Sequence, residues 1–381
     1  AALPLTSAKI SDLDISNLSR YGLQVINLDS FEMKDSKIKG GEIGAFILGL
    51  NNGKFQNNTV SDMTSGSGLG FFLINILGDL EIQNNKSYNN TIGLTIINVT
   101  GNLDLLNNEV YNNTNSYQII TVNGTTTIEG EDSHDNTEYG IFLMFATGTI
   151  KDSEFNTNNY SLGLFNSTDF TVEGNNILGD SVAVLILSGA AKFRNNYVFG
   201  KHEAGVFISS AEPVDFGDVS SGDPGYNTFM AAISLRDSVI GSPLMDTGTW
   251  SMINYSGPQV KAEGNTWVDS GGNTILDCTK VDDIIYDDEE QLGLGIVDYN
   301  SPPEPDNFRV IENSSRKVYT PDTTPRIIWD YVDWENNPQD AYWVILSTDP
   351  EFSTITWDTG WVESTQKYVD YNGVYNLLRN T

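Results

Sequence analysis

The chain has 381 residues, of which 39% are hydrophobic and 19% are charged, so it can bury a large core and is not disordered by composition. Its 20 Lys and Arg against 51 Asp and Glu give a formal net charge of −31. A charge of this sign repels phosphate backbones and anionic lipid, which argues against nucleic acid and membrane surfaces as partners and favours cations or neutral glycans. One cysteine, Cys278, and two histidines, His134 and His202, exclude a disulfide framework and a thiolate- or histidine-rich zinc centre.

The chain contains an internal repeat. The segment LEIQNNKSYNNT (80–91) returns as LDLLNNEVYNNT (103–114), and looser copies follow at spacings of about 21 to 27 residues. Each unit also carries an apolar run of strand length, such as FFLINI, and no segment has helix periodicity. Leucine-rich repeats share the period, but their Leu and Asn/Cys consensus is missing. The pattern predicts a parallel β-helix whose coils stack about 4.8 Å apart.

Asparagine recurs at equivalent places in these units. Asn57, Asn84, Asn107 and Asn195, with Asp152 as a substitute, fall where each coil should turn. Asn tolerates the left-handed conformation that a sharp turn needs, and its amide can bond to the next coil. We therefore expect the Asn pairs to be structural.

A column of charges supports the same alignment. Glu129, Lys151, Glu173 and Arg194 each follow an apolar residue, at intervals of 21 or 22 residues. Opposite charges then alternate from coil to coil. We expect an ion-pair ladder on the surface that fixes the register of the coils, with binding of a charged sugar as the alternative.

The repeat is interrupted and then ends. From about Glu212 to residue 250 the period breaks, which suggests longer loops between coils, and the frame returns at PQVKAEGNTWVDS. The segment 284–303 reads as a last coil with an acidic loop. A Pro-rich linker over residues 301–306 then predicts the domain boundary, so that the β-helix occupies residues 1–300.

Three features carry a resemblance to a known family: the NN frame, the DFGDVSSGDPGYNTF insertion, and the terminal coil EGNTWVDS…IIYDDEEQLGLGIVDYNSPP. Over residues 7–300 the chain resembles the right-handed parallel β-helix proteins that share the pectate-lyase fold, particularly secreted and surface proteins of bacteria and archaea. The resemblance implies an all-β, single-stranded right-handed β-helix. It leaves the chemistry open, because such proteins include lyases, glycosidases, epimerases, adhesins and surface-layer components.

Residues 307–381 differ in composition and contain five tryptophans: Trp329, Trp334, Trp343, Trp357 and Trp361. With alternating strands such as AYWVILS, this segment resembles a fibronectin type III-like β-sandwich. That pattern should continue beyond LLRNT, so we expect an incomplete domain, belonging to a longer protein or completed by another chain. The tryptophans would fill the core or form a sugar-stacking platform.

The resemblance also implies catalytic motifs to look for. The RxPxxR string of uronate lyases and the NTD, GHG and RIK strings of polygalacturonases are absent. The best remaining grouping is EGEDSHDNTE and the coil after it, which offers Asp132, His134, Asp135, Glu138, Asp152 and Glu154. These residues could form a general acid/base pair or a solvated turn.

Two acidic segments could bind calcium, because dense hard oxygen ligands suit that ion. The first contains Asp287, Asp288 and Glu289, and the second contains Asp330, Asp333 and Glu335. Neither spacing matches an EF-hand, and ordinary turns explain the second segment equally well.

Eleven N-x-[ST] sequons predict N-linked glycans and an extracellular or cell-surface location, with the export signal outside this sequence. The sequons lie at Asn17, Asn57, Asn85, Asn89, Asn98, Asn112, Asn123, Asn159, Asn166, Asn254 and Asn313. Part of this number follows from the abundance of Asn, Ser and Thr in the turns.

The sequence supports three hypotheses. The first is an extracellular structural or interaction protein: a rigid, glycosylated β-helix rod that is displayed on a cell surface or self-assembles into a layer, filament or sheath. Its partners would be further copies, other surface proteins or polysaccharide, and we expect no membrane insertion. The second is a polysaccharide lyase or hydrolase with its site near residues 132–154 or beneath the 212–250 loops. The third is a glycan-binding adhesin.

Overall fold

The computed structural model describes residues 7–231, 250–255, 258–275, 278–287, 294–299, 304–311, 326–332, 341–347, 355–366 and 368–370. The chain divides into two units, residues 1–276 with 280–300, and residues 277–279 with 301–381. Each unit is described by itself.

The first unit is built from short strands. The strands of its N-terminal half are β1 (Ser7–Ser11), β2 (Asp14–Ser16), β3 (Tyr21–Lys34), β4 (Lys37–Lys39), β5 (Ile43–Gln56), β6 (Thr59–Ser61), β7 (Leu69–Ile76), β8 (Leu80–Gln83), β9 (Lys86–Tyr88), β10 (Ile92–Val99), β11 (Leu103–Leu106), β12 (Glu109–Tyr111), β13 (Asn115–Val122), β14 (Thr126–Glu129) and β15 (Asp132–His134).

The strands of its C-terminal half are β16 (Tyr139–Met144), β17 (Gly148–Lys151), β18 (Glu154–Phe165), β19 (Phe170–Glu173), β20 (Asn176–Leu187), β21 (Ala191–Arg194), β22 (Tyr197–Gly200), β23 (Ala204–Ser209), β24 (Val214–Asp215), β25 (Thr228–Met230), β26 (Trp250–Asn254), β27 (Val260–Lys261), β28 (Thr266–Val268), β29 (Ile285–Tyr286) and β30 (Val297–Asp298). A 3-10 turn (Val219–Ser221) and one short helix, α1 (Cys278–Asp282), interrupt them.

These strands form three parallel sheets that run along the coil axis. Sheet 1 contains the first halves of β3 and β5, then β7, β10, β13, β16, the second halves of β18 and β20, β23, β26 and β29. Sheet 2 contains β1, the second halves of β3 and β5, β8, β11, β14, β17, β19, β21, β24, β27 and β30. Sheet 3 contains β2, β4, β6, β9, β12, β15, the first halves of β18 and β20, β22, β25 and β28.

The pairing confirms the predicted parallel β-helix and its register. Leu80 pairs with Leu103, which is the shift that the sequence repeat predicted. Successive side chains of a strand point to opposite faces, and the inward ones, such as Ile82, Leu105 and Ile128, are fully buried. Burial of one such side chain contributes about 1.5 to 3 kcal/mol. One continuous apolar core therefore holds the coils together.

The turn between sheets 2 and 3 uses the predicted asparagines. The φ angles are 55°, 55°, 56°, 49° and 57° at Asn57, Asn84, Asn107, Asp152 and Asn195. All five residues are left-handed, as predicted. Glycine occupies the same corner at Gly130 and Gly174, where φ is 67° and 68°, because it adopts this conformation without strain.

The second asparagine of each pair has a different role, which the sequence did not separate from the first. The backbone N–H of Asn58 donates to Oδ1 of Asn85 (2.9 Å), and that of Asn85 donates to Oδ1 of Asn108 (2.8 Å). All three residues are buried. The ladder continues through Glu131, Ser153, Asn175, Asn196, Asn227 and Asn265. It satisfies a buried N–H at each of these turns, where no strand partner is available.

The charged column has the predicted register, with Glu129, Lys151, Glu173 and Arg194 in line on sheet 2. Lys151 Nζ lies 3.1 Å from Glu129 Oε2. Arg194 instead binds residues of the following segment, with Nη2 2.9 Å from both Asp215 Oδ2 and Asp223 Oδ2. Only 8% of its side chain is exposed. The predicted register of the charged column is therefore confirmed. Its last residue, Arg194, binds acids of the following segment and so holds the next coil in place.

The region of residues 212–250 is more regular than predicted over its described part. β24 pairs with β21 and β27, and β25 pairs with β22 and β28, so both strands continue the sheets. The sequence indicated only loops because these strands are very short and the turn between them is long. Residues 232–249 lie outside the described residues.

The second unit contains antiparallel strands: β31 (Glu304–Ile311), β32 (Arg326–Val332), β33 (Ala341–Tyr342), β34 (Ile345–Ser347), β35 (Ile355–Asp358), β36 (Val362–Glu363) and β37 (Tyr368–Asp370). β31 pairs with β32, β32 with β37, β33 with β36, and β34 with β35. β31 begins inside the predicted linker, residues 301–306. The fibronectin type III-like sandwich stays a prediction.

The described tryptophans of this unit differ in exposure. Trp357 packs against the small cluster of Ile327 and Val344, whereas Trp343 and Trp361 are 57% and 69% exposed. Across the described part of the chain, no helix is long and apolar enough to cross a membrane.

Candidate functional surface on sheet 3

The outer face of sheet 3 presents two parallel rows of functional side chains. Lys86, Glu109, Asp132 and Glu154 lie in register in one row. Tyr88, Tyr111 and His134 lie in the second row, two residues further along each strand. We call these seven residues the sheet 3 strip. Their alignment follows from the repeat, because strands of neighbouring coils pair without a shift.

The aromatic rings of the strip stack along the coil axis. The ring centroids of Tyr88 and Tyr111 are 4.9 Å apart with planes at 13°, and those of Tyr111 and His134 are 5.0 Å apart at 3°. The rings thus cover one another's faces and present their edges and polar atoms outward. Tyr88 ends the stack, since its partner in the preceding coil is Ser61.

Polar contacts join residues of the strip, Lys86 with Glu109 within one row and His134 with Glu109 between the rows. Lys86 Nζ binds the carboxylate of Glu109, which raises the pKa of Lys86. His134 Nε2 lies 4.0 Å from Glu109 Oε1, and His134 Nδ1 lies 2.8 Å from Asp135 Oδ2. Burial raises the pKa of Asp132; His134 opposes that shift and the carboxylates of Glu154 and Glu109 add to it. Asp132 therefore holds a proton more readily than an ordinary aspartate does.

A cleft of about 470 Å³ borders the strip. It is lined by Gly130, Glu131, Asp132, Asp152, Ser153, Glu154, Gly174 and Asn176. The two glycines stand where other coils place an asparagine at the corner, so that Asp152, in the coil between them, supplies the corner side chain of the cleft. The cleft combines carboxylates of two neighbouring coils.

Glu131, on the cleft wall, occupies a position of the buried asparagine ladder and is fully buried. One carboxylate oxygen accepts from the backbone N–H and the side-chain amide of Asn108, at 3.1 and 2.9 Å, and the other accepts from the hydroxyl of Tyr117. Burial raises the pKa of Glu131 to about 7, although these hydrogen bonds lower it. Its oxygens are engaged with the core, so its role is structural.

The structure brings together part of the predicted acid and histidine grouping. Asp132, His134 and Glu154 share the strip. Asp135 lies at the next corner, with φ of 55°, and Asp152 lies at the corner between sheets 2 and 3. Glu138 is exposed in the turn before β16.

Sequence reasoning missed Lys86, Tyr88, Glu109 and Tyr111 of the strip. The 23-residue shift already aligned KSY (86–88), EVY (109–111) and DSH (132–134), so it could have indicated the aromatic stack. It also missed Glu131, whose signal is the replacement of the NN pair by GE at residues 130–131.

The calcium predictions remain untested. Asp287 is buried, and its Oδ2 accepts from the backbone N–H of Val297 at 2.7 Å. Asp288, Glu289, Asp333 and Glu335 lie outside the described residues, as does the side chain of Asp330. Within the described ranges, no cluster of three or more His, Cys, Asp or Glu is arranged to hold a metal ion.

The predicted glycosylation sites differ in accessibility. Asparagine is exposed at Asn17, Asn57, Asn89, Asn98, Asn112, Asn123 and Asn166, and half-buried at Asn159. Asn85 and Asn254 are buried, and their side-chain amides donate to the carbonyls of Phe55 (2.9 Å) and Ile296 (3.0 Å). A glycan cannot be attached to these two without breaking the fold. Asn313 lies outside the described residues.

A larger cleft, of about 570 Å³, lies over sheet 2. Both of its lysines are paired with acids, since Lys9 Nζ lies 2.7 Å from Glu32 Oε1 and Lys54 Nζ lies 2.8 Å from Glu81 Oε1. This cleft has no stacked aromatic row of the kind that the strip presents.

Comparison with known proteins agrees with the fold. A family model described as the right handed beta helix region matches residues 5–127 and 78–218. Together the two matches span residues 5–218, more than half of the 381-residue chain. The chain belongs to this family of right-handed parallel β-helix proteins. No curated protein and no solved structure matches it.

Proposed function

We propose that the protein is an extracellular interaction protein, a rigid β-helix rod displayed on a cell surface, and that it binds a polysaccharide along sheet 3. The β-helix fold is compatible both with a surface rod and with a polysaccharide-active enzyme. The observation that carries the proposal is the sheet 3 strip, in which the stacked rings of Tyr88, Tyr111 and His134 stand beside a row of one lysine and three acids.

The chemistry of the strip suits a sugar polymer. Phenol, imidazole and carboxylate groups are the hydrogen-bond partners that sugar hydroxyls need, and they repeat at about 4.8 Å along the coil axis. Tyr88 ends the stack, because its partner in the preceding coil is Ser61 and not a ring, and it would offer an apolar platform there. The carboxylates of Glu109, Asp132 and Glu154 favour neutral sugars and amino sugars, and they repel uronates.

The extracellular location is part of the proposal. Seven sequon asparagines are exposed at the coil corners, where a glycan can project into solvent. N-linked glycans on these residues would mark an exported glycoprotein.

The test is retention of the chain on immobilised polysaccharides: a neutral glucan, chitosan and polygalacturonate. We expect binding to one of the first two and none to polygalacturonate, with Tyr111→Ala and Glu109→Gln each weakening it at least tenfold. Tyr226→Ala is the matched control, because Tyr226 is 66% exposed but lies off the strip. Absence of binding to every polymer, or equal loss in the control, would contradict the proposal.

A second function is favoured by one observation, the raised pKa of Asp132 beside Glu154. A protonated Asp132 could act as general acid, with Glu154 of the next coil as the second carboxylate. Paired strands lie about 4.8 Å apart, close to the carboxyl separation of about 5 Å in glycosidases that retain anomeric configuration.

This enzyme hypothesis predicts slow hydrolysis of a bound neutral polysaccharide with retained anomeric configuration, measured by NMR of the first product. Asp132→Asn and Glu154→Gln should abolish turnover, whereas Asp104→Asn on sheet 2 should not. Binding without any turnover would leave the interaction protein as the correct description.

A further inference from the structure

The outer face of sheet 1 is uncharged and mainly apolar over eight coils. Its most prominent row consists of Ile26, Leu48, Ile74, Ile97, Ile120, Met144, Phe165 and Leu187, which pair in register from coil to coil. The neighbouring outward row consists of Gln24, Phe46, Phe72, Thr95, Gln118, Phe142, Gly163 and Leu185. Neither row contains a charged residue. We call the two rows the sheet 1 strip.

Except at Thr95, which is buried, and Gly163, which has no side chain, these side chains point away from the core. The residues between the two rows, such as Ile47, Leu73 and Ile96, are fully buried, so the alternation of the strands directs the strip outward. Ile26 is 46% exposed, and the rest of its row is half-buried mainly because neighbours stack along the row. Phe46 and Phe72 lie 5.6 Å apart between ring centroids, and Phe142 and Phe165 lie 4.5 Å apart.

The strip is large enough for a specific interface. Eight coils span about 34 Å, and two rows about 7 Å apart with their side chains cover a width of about 15 Å. The face is therefore roughly 500 Å², within the range of about 300 to 600 Å² for the largest apolar patch of a monomer, and such a patch is often a functional surface. Two copies would bury about 1,000 Å² together, which is at the lower limit for a specific protein interface.

We propose that the sheet 1 strip docks against the same strip of a second copy of this chain, through a two-fold axis near Ile97 and Ile120. A second copy fits because it has the same coil repeat, so that rows of one copy can lie beside rows of the other at every coil; such self-complementary contact is what a two-fold interface requires. Charge favours this face as well. The described acids and bases of sheets 2 and 3 point away from the sheet 1 strip. Docking through the strip therefore keeps the charged faces of the two chains, each with a net charge of −31, away from one another.

This association is lateral and does not depend on polysaccharide binding by sheet 3. The proposed function would therefore survive if the strip remained monomeric, and dimerisation would survive if no polysaccharide bound.

The test is sedimentation of the full chain over a range of concentrations. We expect a monomer–dimer equilibrium that the double substitution Ile97→Glu and Ile120→Glu weakens at least tenfold. The matched control is Thr127→Glu with Thr149→Glu, which adds the same charges in two adjacent coils on sheet 2, where these residues pair in register. A monomer at all concentrations, or equal weakening by the control, would overturn the proposal.

A second measurement covers the case in which the Glu variant does not fold. With Cys278→Ser as background, a thiol-specific cross-linker that spans about 10 Å, the distance between packed sheets, should join two copies through Ile97→Cys and not through Thr127→Cys. No cross-linked dimer from Ile97→Cys, or equal yields from both, would also overturn it.

Discussion

At the scale of single residues, the fold depends on which polar side chains are buried and on the hydrogen-bond partners that they find there. Glu131 shows this best, because a carboxyl occupies a position that asparagine or serine fills in other coils. Its folded-state pKa is about 7 against an ordinary value of 4.5. Below pH 4.5 it is protonated in both states; as pH rises toward 7 the unfolded state ionises first, so stability falls.

Glu131→Gln should remove this dependence, since the amide stays neutral. We expect the variant and the wild type to unfold alike near pH 4, and the variant to be more stable by about 3 kcal/mol at pH 8, the equivalent of the pKa shift. Urea unfolding at both pH values measures it. A stability difference that is the same at both values would show that Glu131 does not change its protonation on folding.

Sequon burial gives a second prediction at this scale. Asn85 is bonded through its side-chain amide to Phe55, Gln83 and Asn108, so a glycan there would break the ladder. Asn89, four residues later, is exposed. Glycopeptide mass spectrometry of the protein from its native source should find Asn85 unmodified. A glycan on Asn85 in folded protein would refute the buried ladder.

At the scale of elements, the coils that carry an Asn pair are held by two asparagines of different function. Asn107 is exposed at the left-handed corner, and Asn108 is buried in the ladder. Asn108 Oδ1 accepts from the N–H and the amide of Asn85, and its own amide donates to the carbonyl of Ile82.

The pair predicts unequal effects of substitution. Asn108→Ala should lower the free energy of unfolding by about 3 kcal/mol, because it leaves buried groups without partners. Asn107→Gly should change it by less than about 1 kcal/mol, since glycine tolerates the corner. Denaturation midpoints test both, and equal losses would contradict the division of roles.

The coils and their register could be predicted from the sequence, because equivalent residues of the repeats 80–91 and 103–114 pair with one another in neighbouring coils. The sequence also predicted the left-handed corners, since Asn and Gly adopt a positive φ more readily than the remaining residue types do. It could not show which asparagine is buried, because both are polar and adjacent. It could not show that Arg194 binds Asp215 and Asp223, since that contact depends on a turn of irregular length.

At the scale of the whole molecule, the three faces of the β-helix differ in the charged residues that they carry. The described lysines Lys9, Lys54 and Lys151 on sheet 2 pair with acids of the same sheet. Acids and aromatic rings share sheet 3, and the sheet 1 strip is uncharged. A net charge of −31 thus coexists with an apolar face. This distribution explains how the chain could associate through one face and bind a polymer through another.

The two interactions should respond to salt in opposite directions. Salt screens repulsion between two chains of −31, so dimerisation should tighten between about 0.05 and 0.5 M NaCl, roughly Debye lengths of 14 and 4 Å. Binding of chitosan, whose amines face carboxylates, should weaken over the same range. Sedimentation and polysaccharide retention at both concentrations check this, and dimerisation that weakens with salt would argue against an apolar interface.

The most direct measurement for the proposed function is hydroxyl-radical footprinting of the chain with and without the bound polysaccharide, because oxidation reports on aromatic side chains themselves. We predict that Tyr88, Tyr111 and His134 become protected, while Phe72 and Phe142 of the sheet 1 strip react as before at a fixed protein concentration. Protection elsewhere with the sheet 3 strip unchanged would contradict the assignment of the binding surface.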